Sequence, residues 1–382
     1  MKSAIASCTL SLLFLWGGER AVRAGSYPKI ERSTFTRAIV CARCHLDIYN
    51  RWRDSLHARA VDDPIFTAAY LEAYKATGGE AKYYCLRCHA PTTYITKDYE
   101  MKLEITREGV TCDFCHTVSA VDLSDPAHPF TIEVGPVKRG PMRRSSSPAH
   151  GVKYSSLHET SELCAACHEL RNEKGVSIMS TYSEWRRSPY PEKGMQCQHC
   201  HMPLREGAVV LPEIKEKASS SINEHNLAGG HSLEMLRRAV KLKVHKVERR
   251  GNKLIVRVDL TNAGSGHMIP TGLPTRKLVL SVEVRTSRAG TSTAQRVYQK
   301  RVVDEYSLEI PRDSLIKTLG GRVSMDNRLA PLETRRERFV FTVPEGVGAV
   351  VRAYVFYLYR PMLLEKKEMK ITLTEEIKAV QR

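Results

Sequence analysis

Beyond its first 24 residues, the sequence has no apolar run long enough to cross a lipid bilayer, which takes about 20 consecutive apolar residues. The first 24 residues are typical of a secretory signal peptide. Lys2 supplies the positive charge, Ala4 to Trp16 is apolar, and Val22-Arg23-Ala24 forms a cleavage sequence before Gly25. An uncleaved anchor is the alternative, but the apolar stretch is short for a span. We therefore expect an exported protein, periplasmic or extracellular, with peripheral membrane contact at most.

Cysteines outside pairs are also missing from the part expected to be exported. The chain has 11 cysteines; Cys8 falls in the signal peptide, and the other ten form five C-x-x-C pairs. No cysteine is left for an ordinary disulfide framework or for a lone catalytic thiol. Because residues 201–382 contain no cysteine, any chemistry that depends on cysteine belongs to the part of the chain before them.

Each of the five pairs is followed directly by a histidine. C-x-x-C-H is the attachment signature of c-type haem, in which two thiols form thioethers with the porphyrin vinyl groups and the histidine reaches the iron. The sequence therefore predicts five covalently bound haems c. In chain order, the first to fifth motifs are Cys41-Ala42-Arg43-Cys44-His45, Cys85-Leu86-Arg87-Cys88-His89, Cys112-Asp113-Phe114-Cys115-His116, Cys164-Ala165-Ala166-Cys167-His168 and Cys197-Gln198-His199-Cys200-His201.

Zinc sites and a redox dithiol are the competing interpretations of C-x-x-C. Zinc clusters combine these units in twos, so five units leave one without a partner. A redox dithiol normally occurs once, near a βαβ pattern, and this sequence lacks that pattern. Neither alternative explains a histidine directly after every pair.

Negative charge is scarce relative to positive charge. Lysine and arginine number 59 against 42 aspartates and glutamates, which gives a formal net charge of +17. Such a chain can bind nucleic acid or an anionic membrane. Five haems, however, bring ten propionate carboxylates. We expect many basic residues to surround those carboxylates and the others to form a solvated surface, and we predict no nucleic-acid partner.

The iron of each haem can take a second axial ligand, and nine histidines stand outside the last position of the motifs. Bis-histidine haems have low potentials, whereas a methionine ligand raises the potential. We predict three histidines as second ligands. His57 follows the first motif on a helix, His267 lies in a glycine-flanked loop that can reach the haem region, and His225 follows the last motif. For each of them, a loop histidine with an ordinary hydrogen bond is the alternative. The other predicted ligands are His150 and His158, which precede the fourth motif, while His128, His199, His231 and His245 are weaker candidates.

The predicted fold has two parts. Residues 25–232 form an α-rich multihaem cytochrome domain with long loops and little regular structure, in which one clear helix begins after Asp63 and ends near Gly78. Residues 233–382 follow, with period-2 alternation that predicts six or seven strands of an all-β immunoglobulin-like sandwich and a hairpin turn at Gly251-Asn252. The strands are predicted at residues 241–247, 254–260, 278–284, 339–343, 353–359 and 370–373.

After the first motif the chain runs Trp52-Arg53-Asp54-Ser55-Leu56-His57-Ala58-Arg59-Ala60. This run resembles the tetrahaem cytochrome c family, of the c-554 and c-prime type, that accepts electrons from hydroxylamine oxidoreductase. The resemblance implies electron transfer, makes His57 a distal ligand, and places a further ligand after the third motif at His128 or His150. The fifth motif and the C-terminal part go beyond that family. There, Gly266 to Gly272 resembles the Gly-His-x-x-Pro-Thr-Gly run of larger multihaem cytochromes.

Electron transfer in extracytoplasmic respiration, to redox partner proteins or an extracellular acceptor, is the leading functional hypothesis. A haem enzyme with one open iron site, acting on nitrogen or sulfur oxyanions or on hydroxylamine, is a second hypothesis. A repeated pattern suggests it: a Tyr-x-x-Trp-x-x-Ser-x run begins at Tyr49 and is followed by His57, and the same run begins at Tyr182 but is followed by Tyr190. The second copy therefore has tyrosine where the first has a predicted iron ligand. A subunit of a multihaem complex or an extracellular cytochrome filament is the third.

Overall fold

The structure is a computed structural model that describes residues 34–214, 221–310, 312–359 and 369–381. The predicted signal peptide, residues 1–24, lies outside the described residues. In the described ranges, none of the helices combines the length and apolar character needed to cross a membrane.

The N-terminal part consists of short helices, small strand pairs and long loops. Its helices are α1 (Ala38–Ala42), α2 (Leu46–Arg53), α3 (Pro64–Ala76), α4 (Ala81–His89), α5 (Thr93–Thr96), α6 (Glu104–Arg107), α7 (Cys112–Thr117), α8 (Glu162–His168), α9 (Thr181–Arg186) and α10 (Cys197–His201). Its strands are β1 (Val118–Val121), β2 (Phe130–Ile132), β3 (Val137–Gly140), β4 (Gly151–Tyr154), β5 (Glu169–Arg171), β6 (Ser177–Ser180), β7 (Leu204–Glu206) and β8 (Ser221–Asn223). The strands form four pairs, of which β3–β4 is parallel and the others are antiparallel.

The helix predicted after Asp63 is confirmed as α3. The Asp63 carboxylate accepts a hydrogen bond from the amide of Phe66 at 2.9 Å, which satisfies one of the free N–H groups of the first turn. Pro64 occupies the first helical position, where a missing N–H is harmless. Gly78, with φ of 59°, follows the helix end. Phe66 and Tyr70 of α3 pack in one cluster with α4, the helix that carries the second motif.

The C-terminal part is rich in β-structure. Helix α11 (Leu233–Ala239), capped by the Ser232 hydroxyl, opens it. The strands are β9 (Val240–Arg250), β10 (Lys253–Asn262), β11 (Lys277–Thr286), β12 (Gly290–Val303), β13 (Arg322–Asp326), β14 (Thr334–Thr342), β15 (Ala349–Tyr359) and β16 (Met369–Val380), and helix α12 (Asp313–Leu319) precedes β13. One antiparallel sheet has the order β14-β10-β9 and the other β13-β12-β11-β15-β16.

Both sheets contribute to one apolar core. Leu254 and Val258 of β10 belong to the same buried cluster as Leu280 of β11 and Val351 of β15, because alternate side chains of a strand point to one face. The six predicted strands are confirmed, and so is the hairpin turn between β9 and β10. Strands β12 and β13 were not predicted. The expected number of six or seven strands is therefore wrong, since the described residues of the C-terminal part hold eight, β9 to β16.

The two parts share buried contacts. Val176 and Ile178, from the segment of β6, form an apolar cluster with Val302 of β12 and Ile316 of α12. Lys300 of β12 is buried and donates a hydrogen bond to the carbonyl of Ile178 at 3.2 Å. Burial lowers the pKa of this lysine to about 8. The β-rich part is thus packed directly against the segment between the fourth and fifth motifs.

Candidate haem sites

Local helix geometry arranges the cysteines of each motif. The second, third, fourth and fifth motifs lie on α4, α7, α8 and α10, and the first spans the end of α1 and the turn before α2. Residues three apart in a helix lie on the same face, so the two sulfurs of a motif point the same way. None of the ten motif cysteines forms a disulfide. This donor set fits two thioether bonds to one edge of a porphyrin at each motif.

Hydrogen bonds fix the rings of four motif histidines. In each case Nδ1 donates to a backbone carbonyl, which leaves Nε2 as the nitrogen that can bind a metal. The pairs are His45 with Val209 at 2.6 Å, His89 with Ala60 at 2.9 Å, His116 with Arg139 at 2.5 Å, and His201 with Ala228 at 2.6 Å.

Three predicted second ligands face a motif histidine at the separation that an iron requires. Two imidazoles on opposite sides of one metal ion, each with a metal–nitrogen bond of about 2.0–2.1 Å, have ring centroids roughly 6.3 Å apart. The centroid distances are 6.2 Å between His150 and His45, 6.3 Å between His57 and His168, and 6.4 Å between His267 and His201. His57, which follows the first motif in sequence, thus faces the histidine of the fourth.

Burial keeps the imidazoles of His57 and His168 uncharged. It lowers the pKa of His57 to about 3 and that of His168 to about 4. Neutral imidazole is the form that binds a metal ion, so the electrostatics of the pair suit coordination.

The histidine of the third motif is in ring contact with His158. The His158 ring is stacked on that of His116, with centroids 5.5 Å apart and an interplanar angle of 15°, and its Nε2 is hydrogen-bonded to the carbonyl of Cys115 at 2.9 Å. Burial lowers the pKa of His225 to about 4, and its Nδ1 donates to the carbonyl of Asn223 at 2.6 Å.

The second motif differs from the other four. The ring contact described for His89 is with Phe66 of α3, at 3.9 Å between centroids and 17° between planes. A phenyl ring stacked on the imidazole face cannot bind iron. Sequence reasoning did not identify Phe66, although its place in the first turn of the predicted helix α3 was a usable signal.

The remaining histidines have other surroundings. His128 is exposed, with Nδ1 3.6 Å from Asp125. The Nδ1 of His245 on β9 lies 3.6 Å from the carboxylate of Asp259 on β10. His199 Nδ1 accepts a hydrogen bond from the amide of Gln196 within the fifth motif's own helix. Burial lowers the pKa of His231, followed by the nearby charge of Arg276.

The loop that carries His267 is held by α9. Glu184 accepts hydrogen bonds from the amide of Met268 at 3.2 Å and from the Thr271 hydroxyl at 2.7 Å, and it forms a buried ion pair with Arg328 at 2.6 Å. Gly266 lies against Trp185, where an added Cβ would be 3.4 Å from the indole ring. Sequence reasoning found the loop from its glycines but missed Glu184, which has no distinguishing local pattern.

Sulfur contacts join different motifs. The pKa of three cysteines is lowered by a hydrogen bond with the thiol of another motif. The pairs are Cys41 with Cys112, Cys88 with Cys167, and Cys197 with Cys164. These contacts connect the first motif with the third, the second with the fourth, and the fourth with the fifth. These contacts therefore join the second, fourth and fifth motifs in one group and the first and third motifs in another.

Comparisons with known proteins concern the same part of the chain and its fold. Residues 40–117, which hold the first three motifs, match the family model described as cytochrome c554 and c-prime. Among solved structures, the chain is similar to a penta-heme cytochrome c552 from Thermochromatium tepidum, with 22% identity, a TM-score of 0.74, and 92% of this chain and 100% of that chain covered. The putative ApaA protein from Bordetella pertussis matches 37% of this chain and 94% of its own at 12% identity, with a TM-score of 0.20 that supports no argument. No curated protein matches the chain significantly.

The attachment motifs, the fold and these matches define the chain as a multihaem c-type cytochrome, with haem c as its cofactor. Within that class, residues 40–117 are similar to the cytochrome c554 and c-prime family. Proteins of this class transfer electrons to redox partners.

Proposed function

We propose that this protein carries electrons through five covalently bound haems in extracytoplasmic respiration, between redox partner proteins or to an extracellular acceptor. Haem c supplies a one-electron couple wherever it is bound. The observation that supports a chain of such couples is a set of hydrogen bonds that hold neighbouring motifs together. The amide of Thr36, before the first motif, donates to Asp113 in the third at 2.6 Å. His158, before the fourth motif, is hydrogen-bonded to the Cys115 carbonyl in the third at 2.9 Å, and the amide of Cys197 in the fifth motif donates to the Ser161 hydroxyl beside the fourth at 3.0 Å. Since each motif anchors the edge of a porphyrin, motifs held this close indicate neighbouring haem edges.

The contacts suggest an order for the chain. The first motif contacts the third. Thiol hydrogen bonds and burial raise the pKa of Cys164 and Cys167 in the fourth motif, and the charge of Cys115 in the third motif raises it further. The fourth motif also contacts the second and the fifth. We infer a path from the first motif through the third to the fourth, with branches to the second and fifth.

The protein's own residues hold the irons in this proposal. His45 with His150, His168 with His57, and His201 with His267 serve as axial pairs, supported by their centroid distances. Bis-histidine ligation stabilises a low potential, which suits a carrier in a low-potential respiratory chain.

The test is mass spectrometry followed by a spectroelectrochemical titration of the purified holoprotein. We expect the mass of five haems and reversible reduction over several one-electron steps. Fewer than five haems by mass would contradict the proposal. So would a titration in which some haems are reduced only when mediators are added, because electrons would then not pass between all five haems.

A haem enzyme is the second candidate. Among the described residues, the second motif is the one whose histidine has a phenyl ring, that of Phe66, as its ring contact, whereas the other four motif histidines each have an imidazole. The second motif is therefore where we test for an iron with an open coordination site. Nitric oxide or cyanide added to the oxidised protein should then bind one iron of five. Absence of any bound ligand, together with no turnover of nitrite, sulfite or hydroxylamine, would remove this candidate.

The division of the chain belongs to the same proposal. We infer a signal peptide at 1–24, a pentahaem domain at 25–232 and a β-sandwich domain at 233–382. Two facing antiparallel sheets with a shared core support an immunoglobulin-like sandwich. Such a domain also offers a surface for a multihaem complex or filament, which a size measurement on the exported protein would detect.

A further inference from the structure

The imidazole of His267 is held through the next residue in the chain. Its Nδ1 donates to the carbonyl of Met268 at 3.0 Å, since a carbonyl oxygen can only accept. The Ser265 hydroxyl lies 2.9 Å from Nδ1 and 3.4 Å from Nε2, so both partners favour Nδ1 and Nε2 is left for a metal. Held in this way, the ring is close to parallel with that of His201, at an interplanar angle of 12°.

Glu184 of α9 holds the backbone on which this ring depends. Its carboxylate accepts from the amide of Met268 at 3.2 Å and from the Thr271 hydroxyl at 2.7 Å. Helix α9 is itself anchored beside the fourth motif, because the amide and hydroxyl of Ser183 donate to the Glu169 carboxylate at 3.1 and 2.8 Å. The loop of the β-rich part is thus tied to the segment that follows the fourth motif.

The charge of Glu184 is compensated within a buried cluster. Arg328 forms ion pairs with Glu184 at 2.6 Å and with Asp326 at 2.7 Å, and the side chains of Arg328 and Glu184 are only 4% and 6% exposed. Lys300 donates to the Ser180 hydroxyl at 3.1 Å, and that hydroxyl donates to Glu184 at 2.8 Å. Two carboxylates and two cations therefore balance, as charges taken out of water must.

We propose that Glu184 is a positioning residue that sets the orientation of the His267 imidazole at the fifth motif, and with it the potential of that haem. Groups that hold a metal-binding histidine fix its ring orientation and adjust the metal, and hydrogen bonding around the ligands is one control of haem potential. Arg328 supports the same loop, because it donates to the Pro270 carbonyl at 3.2 Å. The assignment rests on the proposed function, since it requires a haem between His201 and His267.

Electron paramagnetic resonance of the oxidised holoprotein tests the assignment, because the g-values of a low-spin haem follow the angle between its two imidazole planes. Glu184→Ala removes the acceptor of both loop contacts, so one low-spin signal should shift while the others stay. Glu184→Gln keeps an acceptor oxygen for the Met268 amide and should leave the g-values near those of the wild type. The exposed Glu345→Ala is the matched control and should shift no signal. Unchanged g-values in Glu184→Ala, or a shift of every signal, would overturn the assignment.

Spectroelectrochemical titration of the same variants separates the charge of Glu184 from its effect on orientation. Both substitutions remove a negative charge beside the fifth motif, which disfavours the oxidised haem. One midpoint potential should therefore rise in Glu184→Ala and in Glu184→Gln, whereas the g-values should change only in the alanine variant. A potential that rises in neither variant would also overturn the assignment.

A milder substitution keeps the test decisive if Glu184→Ala fails to mature. Thr271→Val removes the hydroxyl that donates to Glu184 but leaves the ion pair with Arg328, so one low-spin signal and no other should shift. No shift would again overturn the assignment. Haem mass separates the two levels: fewer than five haems in the wild type contradicts the proposed function, whereas five haems with unchanged g-values in the variants contradicts only the role of Glu184.

Discussion

At the scale of single residues, hydrogen bonding decides which histidines are suited to be ligands. A donor bond from Nδ1 to a carbonyl fixes the tautomer and directs Nε2 outward. The motif cysteines and histidines were predictable because attachment needs only local spacing. The pairing of His57 with His168 was not, since it joins residues more than a hundred positions apart through the tertiary fold. The orientation of His158 was equally beyond sequence reasoning, because the Cys115 carbonyl leaves no pattern in the sequence.

Replacement of His57 tests the pairing at this scale. We expect His57→Ala to keep five haems but to convert the iron of the fourth motif to high spin, because His168 then lacks the imidazole now 6.3 Å from its own ring. Magnetic circular dichroism of the oxidised protein measures the change, and His245→Ala on the surface of β9 is the control. An unaltered count of low-spin irons in His57→Ala would remove His57 from the ligands.

At the scale of elements, local signals predicted α3 and the β9–β10 hairpin but not β12. The first eight residues of β12, Gly290 to Val297, are mostly exposed and polar, so they show no alternation between buried and exposed faces. Their strand conformation comes from pairing with β11 over ten residues, which is a tertiary effect. Helix α12 also went unpredicted, although Asp313 in its first turn was a usable helix-start signal.

The cap of α3 gives a prediction at this scale. Asp63→Ala removes the acceptor for the Phe66 amide and should lower the free energy of unfolding by about 1 kcal/mol. Asp63→Asn retains a capping oxygen and should remain within a few tenths of the wild type. Denaturant unfolding of the holoprotein, compared at equal m-values, measures the difference. Equal destabilisation by both substitutions would mean that the side-chain charge, and not the cap, matters.

At the scale of the whole molecule, His267 connects the two parts. It lies on a loop of the β-rich part yet faces His201 of the fifth motif. We expect His267→Ala to give one high-spin iron and to make the β-rich part unfold at a different temperature from the haem region, since a ligand bond no longer couples them. Calorimetry together with Soret absorption during heating follows both parts, and His245→Ala should leave a single shared transition. A single transition in His267→Ala would show that the apolar cluster around Ile178 and Ile316 couples the parts without the ligand.

The distribution of apolar cores predicts how the molecule depends on its cofactor. The β-rich part has a large buried cluster that draws on both sheets, whereas the clusters around α3 and α4 and around α8 and α9 are small. Replacing all ten motif cysteines by alanine prevents attachment, so the haem region loses the groups that fill its interior. We expect hydrogen exchange to show protected amides in β10, β11 and β15 and fast exchange in α3, α4 and α8, because protection follows local burial. If the amides of those helices stay protected, the haem region folds without attached haem and the prediction is wrong. It is also wrong if the amides of both parts lose protection.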